Sequence, residues 1–423
     1  MQRKSALTRR SKTVPNIKIA TPTLRFPLFQ NDWERKKISE LVHSIESGVS
    51  VNSEDRIKNN SELGILKTSA VSKGKFFPLE HKTILEHEKI RAKLNPQKGS
   101  IIISRMNTPQ LVGQSGYVAK TYEDLFIPDR LWLLTTNNSV DSKWLSYVLA
   151  SDRMVNAITS TASGTSNSMK NISQSSFLGL GITIPELAEQ KEIANFLTAT
   201  DEKIDITEKK INLLKKYKLG IVQKLLKQEI RFKNERGNNF PEWVDKKLSD
   251  VLNPGSKEPV KNTLEHRKIT IKLHKKGINF TKSGRVMADT RPFYLRSSGE
   301  LIIGKQNYFN GSIAIVDSTH DKTICSNAIM SFRAHDNCSV DFIYEYISTA
   351  SFLMTRQSLA NGTGQKELSE KNFLKFDISM PVKDEQDKIT GFIKSVEEKI
   401  VLEESKIKAL NVFKKTLLRK MLA

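Results

Sequence analysis

Between residues 185 and 226, apolar side chains recur at intervals of three, four or seven positions, at Ile193, Leu197, Ile204, Ile211, Leu214, Ile221 and Leu225. The pattern returns between 381 and 422, at Ile389, Ile393, Val396, Ile400, Ile407, Leu410, Leu417 and Met421. Such a heptad-like stripe predicts a long amphipathic helix in each segment. Each follows a proline, Pro185 or Pro381, which suits a helix start. The two segments align without a gap at an offset of 196 residues, with roughly a third of positions identical. Polar residues interrupt both stripes at matching places, Thr207/Glu403 and Lys218/Lys414. A stripe of this kind needs a partner. The other copy, packed antiparallel, is the simplest one; packing of each helix on its own domain is the alternative. A helix of about 40 residues spans about 60 Å, nearly two turns of B-DNA at about 34 Å each. The pair would act as a rigid spacer, and inserting residues after Lys224 should lengthen it. Helix propensity weakens at Thr198–Asp201, and the sequence leaves open whether the helices are continuous or broken.

The repeat extends beyond the helices. FPLFQNDWERKKISEL (26–41) matches FPEWVDKKLSDVL (240–252) around Trp33/Trp243, Lys37/Lys247 and Ser39/Ser249. KGSIIISRM (98–106) matches SGELIIGKQ (298–306), and GYVA (116–119) matches GSIA (311–314). KWLSYVLAS (143–151) matches DFIYEYIST (341–349), SGT (163–165) matches NGT (361–363), and NISQSSFLGLGITIP (171–185) matches ELSEKNFLKFDISMP (367–381). Short β-rich runs such as ITIKL and ELIIG alternate with helical spacing as in KWLSYVLAS. The expected fold is α+β: two tandem α/β domains, each followed by a long helix, the helices forming an antiparallel coiled-coil spacer. The expected segments are a basic flexible arm (1–24), a first domain (25–184), a spacer helix (185–228), a linker (229–239), a second domain (240–380) and a second spacer helix (381–423).

Charge adds a partner class. Lys+Arg 68 against Asp+Glu 46 gives +22 and a pI near 9.7. That balance suits a polyanion, nucleic acid first and an anionic membrane second. Two cysteines, Cys325 and Cys338, make no disulfide framework, and no Cys/His cluster has zinc spacing. No apolar run reaches the roughly 18 residues of a membrane span, and the arm lacks the apolar core of a secretory signal.

Three matches to catalytic motifs are weak. No [Asp/Asn/Ser]-Pro-Pro-aromatic motif of amino-methyltransferases occurs; Asn253-Pro254-Gly255 reads as a turn. GELIIGKQ (299–306) resembles a phosphate-binding loop but ends in Gln306 where a hydroxyl is required, and its interior reads as a buried strand. Pro128-Asp129…Asp141-Ser142-Lys143 fits a loose metal-nuclease pattern, yet Asp141 and Ser142 look like helix caps. The chain is expected to be non-catalytic by itself, without metal or cofactor.

For DNA, lysine and arginine should hold phosphates, and residues on loops beside rigid strands should read base edges. Residues 257–296 hold 11 Lys/Arg against three acids; Lys272, Lys275, Lys276, Lys282 and Arg285 are phosphate candidates, with Lys73 and Lys75 in the first domain. Base-reading candidates are Arg105, Asn107, Thr165, Asn167 and Lys170, then Lys305, Gln306, Asn307, Thr363, Gln365 and Lys366. Against these stands the argument that shared positions are structural, which favours the dissimilar segments 74–97 and 277–297.

The Phe-Pro…Trp…Lys-Lys entry, GSIIISR and GELIIGKQN, the Gly-Thr segments, and Pro…Glu-Gln…Ile…Phe at each helix start, in duplicate, resemble the DNA-specificity (S) subunit of type I restriction-modification systems. The resemblance covers nearly all of residues 25–423. It implies two target recognition domains reading an asymmetric, bipartite double-stranded DNA site. It also implies assembly with two adenine methyltransferase (M) subunits and with restriction/translocase (R) subunits. S-adenosylmethionine, ATP and Mg would then sit on those partners, and the location would be the bacterial cytoplasm. M-subunit docking is expected on the outward helix faces and at Glu189-Gln190 and Glu385-Gln386. A subunit serving another methyltransferase-nuclease type and a basic coiled-coil scaffold are the other readings; the chain's end at Ala423 speaks against a fused catalytic domain.

Overall fold

The computed structural model describes residues 22–164, 169–281, 291–357 and 367–422. Eight α-helices occur among them: α1 (Ser142–Ala150), α2 (Asp152–Ser160), α3 (Gln174–Leu178), α4 (Leu187–Leu226), α5 (Val340–Ile347), α6 (Ala350–Arg356), α7 (Glu370–Phe373) and α8 (Lys383–Met421). The chain divides into two compact units. Unit 1 runs to Thr207 and resumes at Lys406; unit 2 is Glu208–Ser405. Each unit therefore takes a stretch of both long helices, a division that cuts across the expected one.

In unit 1 the run Ile101–Ser104 is buried at every position, as a strand covered on both faces must be. It pairs antiparallel with Leu131–Thr136 on one side and Ser115–Tyr117 on the other. The sheet continues to Val42–Ser47 at one edge and, through Gly74–Phe76, to Val71–Ser72 at the other, six strands in all. Gly74–Phe76 runs parallel to Ser115–Tyr117. There a Cβ on Gly116 would lie 2.6 Å from the Lys75 carbonyl oxygen, so only glycine permits the approach. A four-stranded sheet and α1–α3 complete the unit. Glu34–Lys37 pairs antiparallel with Gly181–Ile184, joining the domain's beginning to the start of α4. The core gathers Trp33, Trp132, Trp144 and Leu149 with Ile193 and Leu197 of α4 and Leu417 and Met421 of α8.

Unit 2 repeats this plan with a smaller sheet, in the order Leu252–Pro254, Ile329–Ala334, Leu301–Gly304, Ile313–Ile315. The hairpin Ile269–Ile271/Ile278–Phe280 and the antiparallel pair Phe293–Arg296/Thr323–Ser326 stand beside it. Val244–Lys247 pairs with Asp377–Met380, as its counterpart does in unit 1. Phe332, Phe342 and Phe373 form the core with Val222 and Leu225 of α4 and Ile389 and Ile393 of α8.

The long helices run antiparallel. In unit 2, Lys210 of α4 pairs with Glu403 of α8 at 2.8 Å, and eight residues on, Lys218 pairs with Glu397. In unit 1, Asp201 of α4 pairs with Lys414 at 2.6 Å. Ile193, Leu197, Ile204, Ile211, Leu225, Ile389, Ile393, Val396, Ile400, Leu417 and Met421 are buried, and Leu214, Ile221, Ile407 and Leu410 are half-buried. The polar interruptions have partners: Thr207 donates to the Lys203 carbonyl, Glu403 takes Lys210, and Lys218 and Lys414 take the acids just named. Neither helix packs only on the domain before it, because the end of α8 enters the unit 1 core. α4 is unbroken through Thr198–Asp201: Asp201 accepts from Tyr147 at 2.9 Å and forms an ion pair with Lys414.

The structure also corrects the repeat at each unit's entry. Phe26 packs on Phe196 at 5.9 Å and Phe232 on Phe392 at 5.8 Å, so Phe26 corresponds to Phe232, not to Phe240. Leu24 donates its N–H to the Lys420 carbonyl as Ile230 does to that of Lys224. Residues 230–232 are thus part of unit 2's frame rather than linker, and Leu24 belongs to unit 1 rather than to a free arm.

Candidate nucleic-acid interface

Each unit carries a basic hairpin tip pinned to the segment beyond its central strand. In unit 1 the two-residue loop Lys73-Gly74 has φ of 51° and 79°, both left-handed, which matches the twist of a tight hairpin. Lys73 is exposed, and its N–H donates to Gln114 Oε1 at 2.7 Å. Lys75 points elsewhere: its ammonium lies 2.7 Å from Asp205 of α4, so that charge holds the domain to the helix. In unit 2 the loop 272–277 exposes Lys272, Lys275 and Lys276. His274 donates its N–H to Asn310 O at 2.8 Å and Lys275 to Gly311 O at 2.9 Å. A Cβ on Gly311 would meet the backbone of both at 3.1 Å, so glycine keeps the lysine loop against the Asn307–Gly311 turn.

The segments after the central strands hold the other candidates. Arg105 and Lys305 are half-buried at the strand ends, and Gln306 and Asn307 are exposed. Asn307 Oδ1 accepts from Asn310 Nδ2 at 3.2 Å. Asn107 is 8% exposed, and its amide donates to Ser104 Oγ at 3.1 Å while its Oδ1 accepts from Thr108 N at 2.9 Å. Those bonds shape a turn, and the side chain is buried in it. Lys170 pairs in register with Asn107 and donates to the Gly164 carbonyl at 2.7 Å. Thr165, Asn167, Lys282, Arg285, Thr363, Gln365 and Lys366 lie outside the described residues.

Glu189, Gln190, Glu385 and Gln386 are buried, so none presents a docking surface. Both glutamates are held by an arginine and a tryptophan, Arg25 and Trp33 in unit 1 and Arg231 and Trp243 in unit 2. The glutamines cap the neighbouring helices' approach: Gln190 Oε1 accepts from Asp141 N at 2.8 Å and Gln386 Oε1 from Ser339 N at 2.7 Å. Aligning the sequence repeat on Phe-Pro hides the two arginines; Leu24-Arg25-Phe26 against Ile230-Arg231-Phe232 is the signal that reveals them.

The weak catalytic matches have structural explanations. Asp141 caps α1, accepting from Trp144 N at 2.8 Å, and Lys143 lies over the Tyr117 ring at 4.3 Å. Burial lowers the Lys143 ammonium below the usual lysine range. Leu301–Gly304 is a buried strand, which no phosphate can reach. Among the described residues no group of three or more His, Cys, Asp or Glu could hold a metal ion, and no helix is long and apolar enough to cross a membrane.

Known proteins share this architecture. The S subunit of a type I restriction-modification system from M. genitalium superposes with a TM-score of 0.58 at 18% identity, over 96% of this chain and 99% of that one. A type I restriction enzyme specificity subunit, MjaX, of Methanocaldococcus jannaschii is 27% identical over 216 residues, 50% of each chain. The EcoEI specificity subunit of Escherichia coli is 25% identical over 187 residues, 44% of this chain and 31% of that one. The matched stretch thus spans half or less of the length of the MjaX and EcoEI subunits. The family model for the type I restriction modification DNA specificity domain matches twice, at residues 30–216 and 241–412, and the chain belongs to that family.

Proposed function

We propose that this chain is the sequence-specific DNA-binding specificity subunit of a type I restriction-modification complex. Each unit reads one half of an asymmetric bipartite target, and partner subunits carry out adenine methylation or cleavage. One observation carries this reading: the two units share a frame, down to the backbone bonds that pin the central-strand end, while the side chains presented there differ. A common frame with different presented groups suits two readers of two different half-sites. Exposed lysines at both tips and the charge of +22 supply the phosphate affinity.

The long helices support docking of two copies of one partner. Ile206 and Tyr217 of α4 are 65% and 51% exposed, and their repeats on α8, Leu402 and Phe413, are 54% and 48% exposed. Unit 1 thus exposes Ile206 and Phe413 and unit 2 their repeats Leu402 and Tyr217, and one methyltransferase subunit on each unit would cover them. S-adenosylmethionine, ATP and Mg2+ belong to the partners, this chain does no chemistry itself, and the complex works in the bacterial cytoplasm.

The test is methylome sequencing of DNA from cells expressing this chain with and without an adenine methyltransferase subunit of the same system. A split, asymmetric motif methylated only when both are present is expected. Absence of any such motif, with the partner active and bound, would leave a scaffold that does not read sequence.

A further inference from the structure

The central strand of each unit ends in one residue pinned in the same way. Arg105 donates its N–H to Arg130 O at 3.1 Å and accepts from Ile172 N at 2.9 Å. Lys305 donates to Ala328 O at 3.0 Å and accepts from Leu368 N at 2.9 Å. The neighbouring strands share a register, with Ile103 opposite Trp132 and Ile303 opposite Met330. The backbone is therefore common, and the side chains change as a pair: arginine with tryptophan in unit 1, lysine with methionine in unit 2.

The Arg105 guanidinium lies over the Trp132 ring, 5.9 Å from its centroid. Trp132 is 1% exposed and set against Phe177 at 5.8 Å, so the ring is a fixed shelf. Nε is sealed from solvent without an acceptor. Among the described residues no hydrogen bond or ion pair holds the rest of the group, which leaves the two Nη nitrogens as a free fork. An unsatisfied, part-desolvated guanidinium is costly in the free protein. It becomes favourable when two coplanar acceptors meet the fork. A phosphate can take such a fork as well, but it is the same at every base pair, whereas guanine alone presents N7 and O6 as a coplanar acceptor pair in the major groove. A contact to phosphate would also give no reason for the side chains to differ between units.

We propose that Arg105 reads a guanine in the half-site bound by unit 1, through N7 and O6, and that the change from Arg105 on Trp132 to Lys305 beside Met330 helps make the half-sites different. This inference rests on the functional reading above. Its test is the methylome of cells carrying the full chain with its methyltransferase partner, comparing wild type, Arg105→Lys and Arg105→Ala. Arg105→Lys retains the charge and serves if the alanine variant fails to fold. The expected result is relaxation at one guanine of one half-site, with discrimination there falling roughly tenfold or more and the other half unchanged. A weaker signal at all sites with the motif intact would assign Arg105 to phosphate and overturn the proposal, as would an unchanged motif. Lack of any bipartite motif in the wild type would overturn the functional reading itself.

Discussion

Arg231 clasps Glu385: its Nε and Nη2 donate to the two carboxylate oxygens at 3.1 and 2.9 Å, and the Glu385 side chain is wholly buried. Trp243 adds a third donor at 3.1 Å. Arg25, Glu189 and Trp33 repeat the arrangement at 2.9, 2.8 and 3.1 Å. Each clasp ties the entry of a unit to the first turn of a long helix. A buried carboxylate is tolerable only while its donors remain, and removing one member of such a pair costs about 3 kcal/mol or more.

Glu385→Ala should therefore lower stability by about 3 kcal/mol, and Glu189→Ala by a similar amount. Replacing Arg231 and Glu385 together by methionine should cost much less, because no charge is then left alone. Urea unfolding of the four proteins checks this. A single variant as mild as an exposed salt-bridge deletion would show that the clasp contributes little.

A second prediction concerns pH. In unit 2, Lys218 lies between Glu397 and Glu345, 3.6 Å from the latter. Burial raises the Glu345 carboxyl above the usual carboxylate range, and Lys218 opposes that shift. The folded state thus holds a proton that the unfolded state has released. Stability falls as pH rises through the window between the ordinary carboxylate value and the raised one. Glu345→Gln mimics the protonated form, so its stability relative to wild type should improve as pH rises through that window. Unfolding free energies at several pH values measure the difference, and a pH-independent difference would contradict it.

How far the sequence could be read depended on whether a signal was local or relational. The helix stripe was legible because burial repeats every turn; Ile193 and Leu417 are buried where the spacing puts them. The strand Leu301–Gly304 was legible from the apolar run Leu301-Ile302-Ile303. The Arg25–Glu189 clasp was not, since it joins residues 164 apart and neither has a periodic neighbour. Lys75 looked like a free phosphate ligand because only the fold places Asp205 beside it. Asn107 is a base-reading candidate by its place in the repeat, and its turn partners Ser104 and Thr108, though local, carry no periodic signal.

An insertion after Lys224 should not simply lengthen a spacer. Leu225 is 2% exposed in the unit 2 core, and Ile230 donates to the Lys224 carbonyl. Four added helical residues would displace the downstream chain by about 6 Å, carrying Arg231 away from Glu385. The expected outcome is a loss of stability close to that of Glu385→Ala, seen in thermal unfolding. Unchanged unfolding, with the Arg231 contact retained, would mean that the 227–230 segment absorbs the insertion.

Exchange of residues 25–184 for those of a relative should change one half of the methylated motif and leave the other. The seam decides whether the experiment works. Unit 1's core includes Ile193, Ala194, Leu197, Leu417 and Met421, which stay with the recipient. The donor must therefore bring an apolar seat for them, with arginine and tryptophan at the positions of Arg25 and Trp33 to meet Glu189. Donors that keep this pair should give stable hybrids and a motif new in one half only. Donors without it should leave Glu189 buried and unpaired, and methylation should then fall at every site rather than change sequence. Methylome sequencing of both kinds of hybrid separates the outcomes. A change in both halves from a well-folded hybrid would show that the units do not read independently.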